Sequence, residues 1–150
     1  MRAELNDALK AAMRTKDACA VSTLRLILAA LKDRDIAARS QGQTDGVGDD
    51  EILDMLQKMV RQRRDSIALY EQGGRRDLAE KEAAEIEVIE RFLPKQLGEA
   101  ETAEAVDKAI EEIGAESIKD MGRIMAALKE RYAGRMDFAK ASGLVKERLG

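Results

Sequence analysis

The side chains best suited to chemistry in this 150-residue sequence are its carboxylates, which pair at helical spacing: Glu82 with Glu85, and Glu87 with Glu90. Two carboxylates three residues apart share a helix face. Such a pair can divide acid and base duties when its surroundings push the two pKa values apart. Nothing in the sequence separates these, and with 29 Asp and Glu residues in the chain such pairs arise by chance. There is no histidine, which excludes His-dependent triads, Cys–His dyads and di-iron sites built on Glu-x-x-His. The single cysteine, Cys19, can supply neither a zinc cluster nor an internal disulfide, and in its Ala-rich run it reads as a small core residue. No glycine-rich loop follows a strand to cradle phosphate. The expectation is therefore no catalytic residue, no metal and no cofactor, and the chemistry that remains is that of charge.

Charge is segregated along the chain. Residues 58–76 hold six basic side chains against two acids, a local balance of +4, and residues 77–90 hold one base against six acids, a balance of -5. In an antiparallel helical hairpin these stretches lie side by side, so surface ion pairs are expected to neutralise much of the difference. Residues 95–116 carry two bases against seven acids, whereas residues 117–150 carry eight bases against four. A basic face of that kind can neutralise phosphates with an affinity that falls as salt rises. With aromatics at only 3% there is little to stack on single-stranded bases, which points to backbone and shape contacts with folded or duplex nucleic acid. The candidate nucleic-acid contacts are Lys119, Arg123, Lys129, Arg131 and Arg135, with Lys140 and Lys146 beside them, and Arg61, Arg64, Arg75 and Arg76 as a second cluster. A solvated face is the alternative reading of the same residues.

The elements that must carry these side chains are helices. The sequence is 45% apolar and 37% charged with no Trp, so its core must come from aliphatic stripes on helices with wide solvated faces. Leu5, Ala8, Leu9, Ala12 and Met13 mark a helix over 2–15, and Val21, Leu24, Ile27, Leu28, Leu31 and Ile36 mark one to about Arg39. The glycine-bearing stretch 40–49 reads as a surface loop. Asp49 or Asp50 is expected to cap a helix that runs to Gln72. Gly73-Gly74 then reverses the chain into a helix from Arg75 to Leu93, so residues 50–93 form a hairpin. Pro94, the only proline, stops that helix. Beyond it come three short helices, closed by Gly114, opened by Ser117 and capped by Asp137. The expected fold is all-α: a four-helix N-terminal module, residues 1–94, joined at a proline hinge to a small three-helix tail, residues 95–150. No apolar run approaches the roughly 20 residues needed to span a bilayer, so no membrane partner is expected. The start, MRAELNDALKAAM, lacks an apolar signal core and carries Glu4 and Asp7, which makes cytoplasm the expected compartment.

Three segments carry a resemblance: LRLILAALKDRDI at 24–36, QRRDSIALYEQGGRRDLAEKEAAEIEVIERFLPKQL at 62–97, and IKDMGRIMAALKERYAGRMD at 118–137. The chain resembles the GatB/YqeY family, specifically its small stand-alone YqeY-like members. The family often reads Gly-Arg-Ala-Asp-Gly-Lys where this chain has Gly134-Arg135-Met136-Asp137-Phe138-Ala139. The resemblance implies a link to glutamine-dependent amidation of misacylated tRNA, because the GatB subunit of that amidotransferase ends in a similar helical region and tail that engage tRNA. It implies tRNA or a tRNA-dependent enzyme as partner. It does not bring the catalytic part, since the ATP-binding cradle and the glutaminase nucleophile lie elsewhere in that machinery. Three readings stay open: a tRNA-binding module without chemistry, an amidotransferase, and a protein–protein adaptor using the hairpin.

Overall fold

Aliphatic residues at three- and four-residue spacing recur through the chain, and each such stripe is folded into a helix that buries most of it; Met13 and Ile36, marked by that spacing, stand at the stripe edges and are about half exposed. A computed structural model describes all 150 residues. It is all-α: α1 Arg2–Thr15, α2 Ala18–Arg39, α3 Asp49–Gln72, α4 Arg76–Glu90, α5 Glu99–Ile113, α6 Met121–Arg131 and α7 Phe138–Leu149, with a 3-10 turn at Ile118–Asp120 before α6. The chain divides into two compact units, Met1–Pro94 and Lys95–Gly150, each with its own core.

In the first unit, Leu5, Ile27, Ile52, Leu56 and Ile89 are fully buried. Each contributes roughly 1.5–3 kcal/mol of transfer free energy. α1 and α2 pack together, α2 also touches α3 and α4, and α3 and α4 form the hairpin. Lys16 ends α1 in the left-handed conformation, and the Asp17 carboxylate caps α2 by accepting from the Ala20 N–H at 3.1 Å. The loop after α2 is pinned at its far end. Arg2 donates two 2.7 Å bonds to the Asp35 carboxylate and one of 2.8 Å to the Val47 carbonyl, while the Val47 N–H donates to Asp35 at 2.9 Å. Gly46 sits at φ +86° beside this clamp, where a Cβ would come within 2.7 Å of the Arg2 guanidinium.

Local endings differ from the sequence expectations in three places. Gly48 precedes α3 as its cap and Asp49 and Asp50 lie in the first turn, where they act through charge on the helix dipole and not as capping acceptors. α4 stops at Glu90, and Phe92 and Leu93 are held in a tighter turn by bonds to the carbonyls of Ile89 and Glu90. Pro94 disfavours helical geometry at the residue before it, so the unwinding begins upstream. Ser117 makes no capping bond, and the 3-10 turn intervenes before α6.

In the second unit α5, α6 and α7 contact one another pairwise. Val106, Ala109, Ile124, Leu128, Met136, Ala141 and Val145 are fully buried between them. Gly114 ends α5 at φ +71°, a conformation that glycine adopts without a Cβ penalty. Asp137 caps α7, accepting from the N–H groups of Ala139 and Lys140. The segment entering the unit is bonded to the α6–α7 connection: Leu97 N–H donates to the Arg135 carbonyl at 2.8 Å and the Gln96 amide donates to the Gly134 carbonyl at 2.5 Å.

Candidate nucleic-acid interface

The same tripeptide, Lys-Glu-Arg, occurs near the ends of α6 (129–131) and α7 (146–148), directly after the buried Leu128 and Val145. In both copies the arginine turns to the acidic helix α5. Arg131 lies 2.6 Å from Glu112, and the Arg148 Nε donates to Asp107, which raises the pKa of Arg148. These bonds mark the flank of each helix that faces α5. The lysines stand two residues earlier, about 200° around the helix, on the opposite flank. Because all three helices touch, that flank borders the seam between α6 and α7. Lys129 and Lys146 are exposed there and have no carboxylate within ion-pair distance.

The remaining tail candidates do not join them. Arg123 faces outward, 3.6 Å from Asp120, and Lys140 lies 4.0 Å from Glu99 at the start of α5. Lys119 is exposed on the 3-10 turn. Arg135 is half-buried and its Nε donates to the Lys95 carbonyl at 3.3 Å, so it fastens the entering segment. The eight basic groups of 117–150 therefore divide among several directions, because successive helical residues step by 100° and only some spacings return to the same face.

On the hairpin the two arms pair. Arg63 reaches across to Glu85 at 2.8 Å and Glu82 at 3.9 Å, with Arg63 and Glu85 side chains only 13% and 12% exposed. Glu82 and Glu85, one of the carboxylate pairs at helical spacing, thus hold a guanidinium between α3 and α4. Arg64 lies 3.3 Å from Glu90, and Arg75 lies 3.2 Å from Asp77, whose carboxyl it holds below the usual range. Arg61 is exposed and engaged within the fold. Arg76 opens α4 beside a cleft of about 510 Å³ that it shares with Glu71 and Gly74. A further set of exposed cations, Lys10, Arg14, Arg25, Lys32 and Arg39, lies on α1 and α2, outside the basic stretches the sequence singled out. The seven-residue spacing of the last three was the signal available for finding them.

Residues 2–149 match the family described as Yqey-like protein. The chain belongs to the YqeY-like family. Its match covers both units, including the segments at 62–97 and 118–137. Among curated proteins it is similar to "Altered inheritance of mitochondria protein 41, mitochondrial" of Candida glabrata, 39% identical over 69% of this chain and 54% of that protein. The protein of the same name from Kluyveromyces lactis is 36% identical over 60% of this chain and 46% of its own length. That of Pyrenophora tritici-repentis is 33% identical over 82% and 68% respectively. The chain spans about half the length of the first two relatives. These names overturn the cytoplasmic expectation, because the relatives are mitochondrial proteins. The helices and charges of such a module suit any aqueous compartment, so composition did not encode an address. At the departure from the usual YqeY-like pattern, Met136 is fully buried, Phe138 packs against the same core, and Ala139 is exposed.

Proposed function

We propose that this YqeY-like chain is a non-catalytic module that engages tRNA, or an enzyme carrying tRNA, through phosphate contacts. The observation that carries the reading is the placement of Lys129 and Lys146, exposed and unpaired along one seam while the arginines of the same tripeptides are drawn to α5. Two exposed cations on the flanks of α6 and α7 turned away from α5 suit a sugar–phosphate backbone. Family membership supports the link to the tRNA-dependent amidotransferase through the related helical and tail region of GatB. Of the two carboxylate pairs at helical spacing, Glu82 and Glu85 are occupied in the Arg63 bridge and Glu90 of the other pair lies against Arg64, which favours binding over amidotransfer. The relatives' mitochondrial setting is compatible, since such engagement asks only for an aqueous compartment that contains tRNA. Fluorescence titration with total tRNA tests the proposal. The affinity is expected to fall steeply between about 50 and 200 mM salt and to weaken in Lys129→Glu/Lys146→Glu. Affinity independent of salt, or unchanged in that variant, overturns the seam as a contact. With glutamine, ATP, magnesium and misacylated tRNA, the chain alone is expected to release no ammonia.

A second reading, a protein adaptor, is favoured by Leu69, which is 67% exposed near the hairpin tip. Capture of a protein partner from RNase-treated extract, lost in Leu69→Asp, would support it.

A further inference from the structure

We infer that the outer face of the α1–α2 pair is a second, larger phosphate-binding surface that lies against duplex RNA. This rests on the reading just proposed and names where most of the contact is made. Residues 2–39, which span both helices, hold eight basic side chains against five acids. Two of those acids are already used, Asp35 by Arg2 and Asp17 as the cap of α2. Arg34 is paired with Asp54 of α3.

Geometry gathers the remaining cations. On α2, Asp35 bonds to Arg2 of α1, so the line through Val21, Leu28 and Asp35, spaced by seven, is the flank that faces α1. Arg25, Lys32 and Arg39 each stand four residues further on, one ridge outward from that line. They form a straight row with gaps of about 10.5 Å, about three nucleotides of axial rise along a strand. On α1 the ridge Arg2, Asn6, Lys10, Arg14 begins at the α2 contact and climbs to the outer surface on the same side. Cations from both helices therefore stand on one outer face. Lys10, Arg14, Arg25, Lys32 and Arg39 are all exposed and none lies within ion-pair distance of a carboxylate, although the charge of Arg39 is felt by Asp35 at longer range. Asp7 and Asp33 are the acids on the outer surface of the pair, and neither pairs with these cations.

Rows on rigid helices with no aromatic among them suit a duplex backbone better than unstacked bases. Leu26 and Ile36, each about half exposed, also sit on α2, so anionic lipid is the competing occupant. They lie on the same side of the basic row, about 80° apart, with the exposed Asp33 between them in angle, and make no continuous apolar stripe. RNA is the occupant the arrangement favours.

The experiment compares the full chain with Arg25→Glu/Lys32→Glu and with Lys129→Glu/Lys146→Glu in titrations of total tRNA and of phosphatidylglycerol vesicles across salt. Circular dichroism checks that helicity is kept. We expect Arg25→Glu/Lys32→Glu to weaken tRNA binding tenfold or more, to reduce the log–log salt slope by about 2, and to do both more strongly than the tail variant. Arg25→Gln/Lys32→Gln, which adds no repulsion, is expected to act in the same direction with smaller amplitude. Unchanged tRNA affinity in both α1–α2 variants, with loss in the tail variant, overturns this inference and leaves the proposed function standing. Vesicle binding abolished by Arg25→Glu/Lys32→Glu with tRNA binding intact assigns the face to lipid and also overturns it. No tRNA binding by the unmodified chain at any salt removes the proposed function and this surface together.

Discussion

Asp35 sits where one side chain connects α1, α2 and the loop that follows. Its bonds from Arg2, then from the Val47 N–H, lower its pKa from 3.8 to about 2 against the opposing effect of burial. Because the folded value lies below the unfolded one, its contribution is complete above about pH 4 and is lost as pH falls toward 2. Asp35→Asn is expected to lower stability by about 1–2 kcal/mol at pH 7. In urea titrations the variant and the parent should converge near pH 2, and a pH-independent gap would show that the carboxylate charge is not what matters. Nothing in the sequence names Asp35 or its partner, 33 residues away. Side-chain pairs at long sequence separation leave no periodic signal. The same gap hid the fate of Arg131 and Arg148, which the count of positive charge treated as available.

At the scale of elements, periodicity read well. The limits of α1 and α2 and the break at Lys16–Asp17 follow from where apolar spacing fails, and the core stripes are those the spacing marked except at Met13 and Ile36, which are exposed. Endings were harder to read, because a cap depends on the backbone angles of single residues. Asp137 was legible as a cap since it stands directly before an apolar stripe, whereas adjacent Asp49 and Asp50 offered two equivalent choices and the chain uses neither. The hairpin depends on Arg63. Arg63→Ala would leave Glu82 and Glu85 facing each other without a counter-charge in a mostly buried setting, at a cost of about 2–4 kcal/mol. Thermal unfolding of Arg63→Ala beside Arg63→Ala/Glu85→Ala checks this, since the second change should recover part of the loss.

For the whole molecule, two separate cores imply two cooperative transitions. Leu128→Ala, which empties a fully buried site in the second unit, is expected to cost about 2–5 kcal/mol and to lower the transition of that unit alone. Hydrogen exchange read separately on α2 and α6 would show it, with protection lost in α6 and kept in α2; equal loss in both would show that the units unfold as one. Function was less legible than fold because charge had to be placed in space before it could be read. Counting along the chain found the tail, and the seven-residue spacing of Arg25, Lys32 and Arg39 was there to be read, but that they stand outward of the flank facing α1 is visible only once the Arg2–Asp35 bond is known. The compartment was not legible at all.

The Arg2–Asp35–Val47 clamp bears on how the chain tolerates added sequence. Gln43 N–H donates to the Ala38 carbonyl and its side-chain amide donates to the Gly46 carbonyl, so the stretch between α2 and α3 is stapled at both ends while Thr44 and Asp45 are exposed. A peptide tag or fluorophore loop spliced between those two residues would leave and re-enter at anchored points. It would report on the first unit from a position that carries none of the proposed RNA contacts.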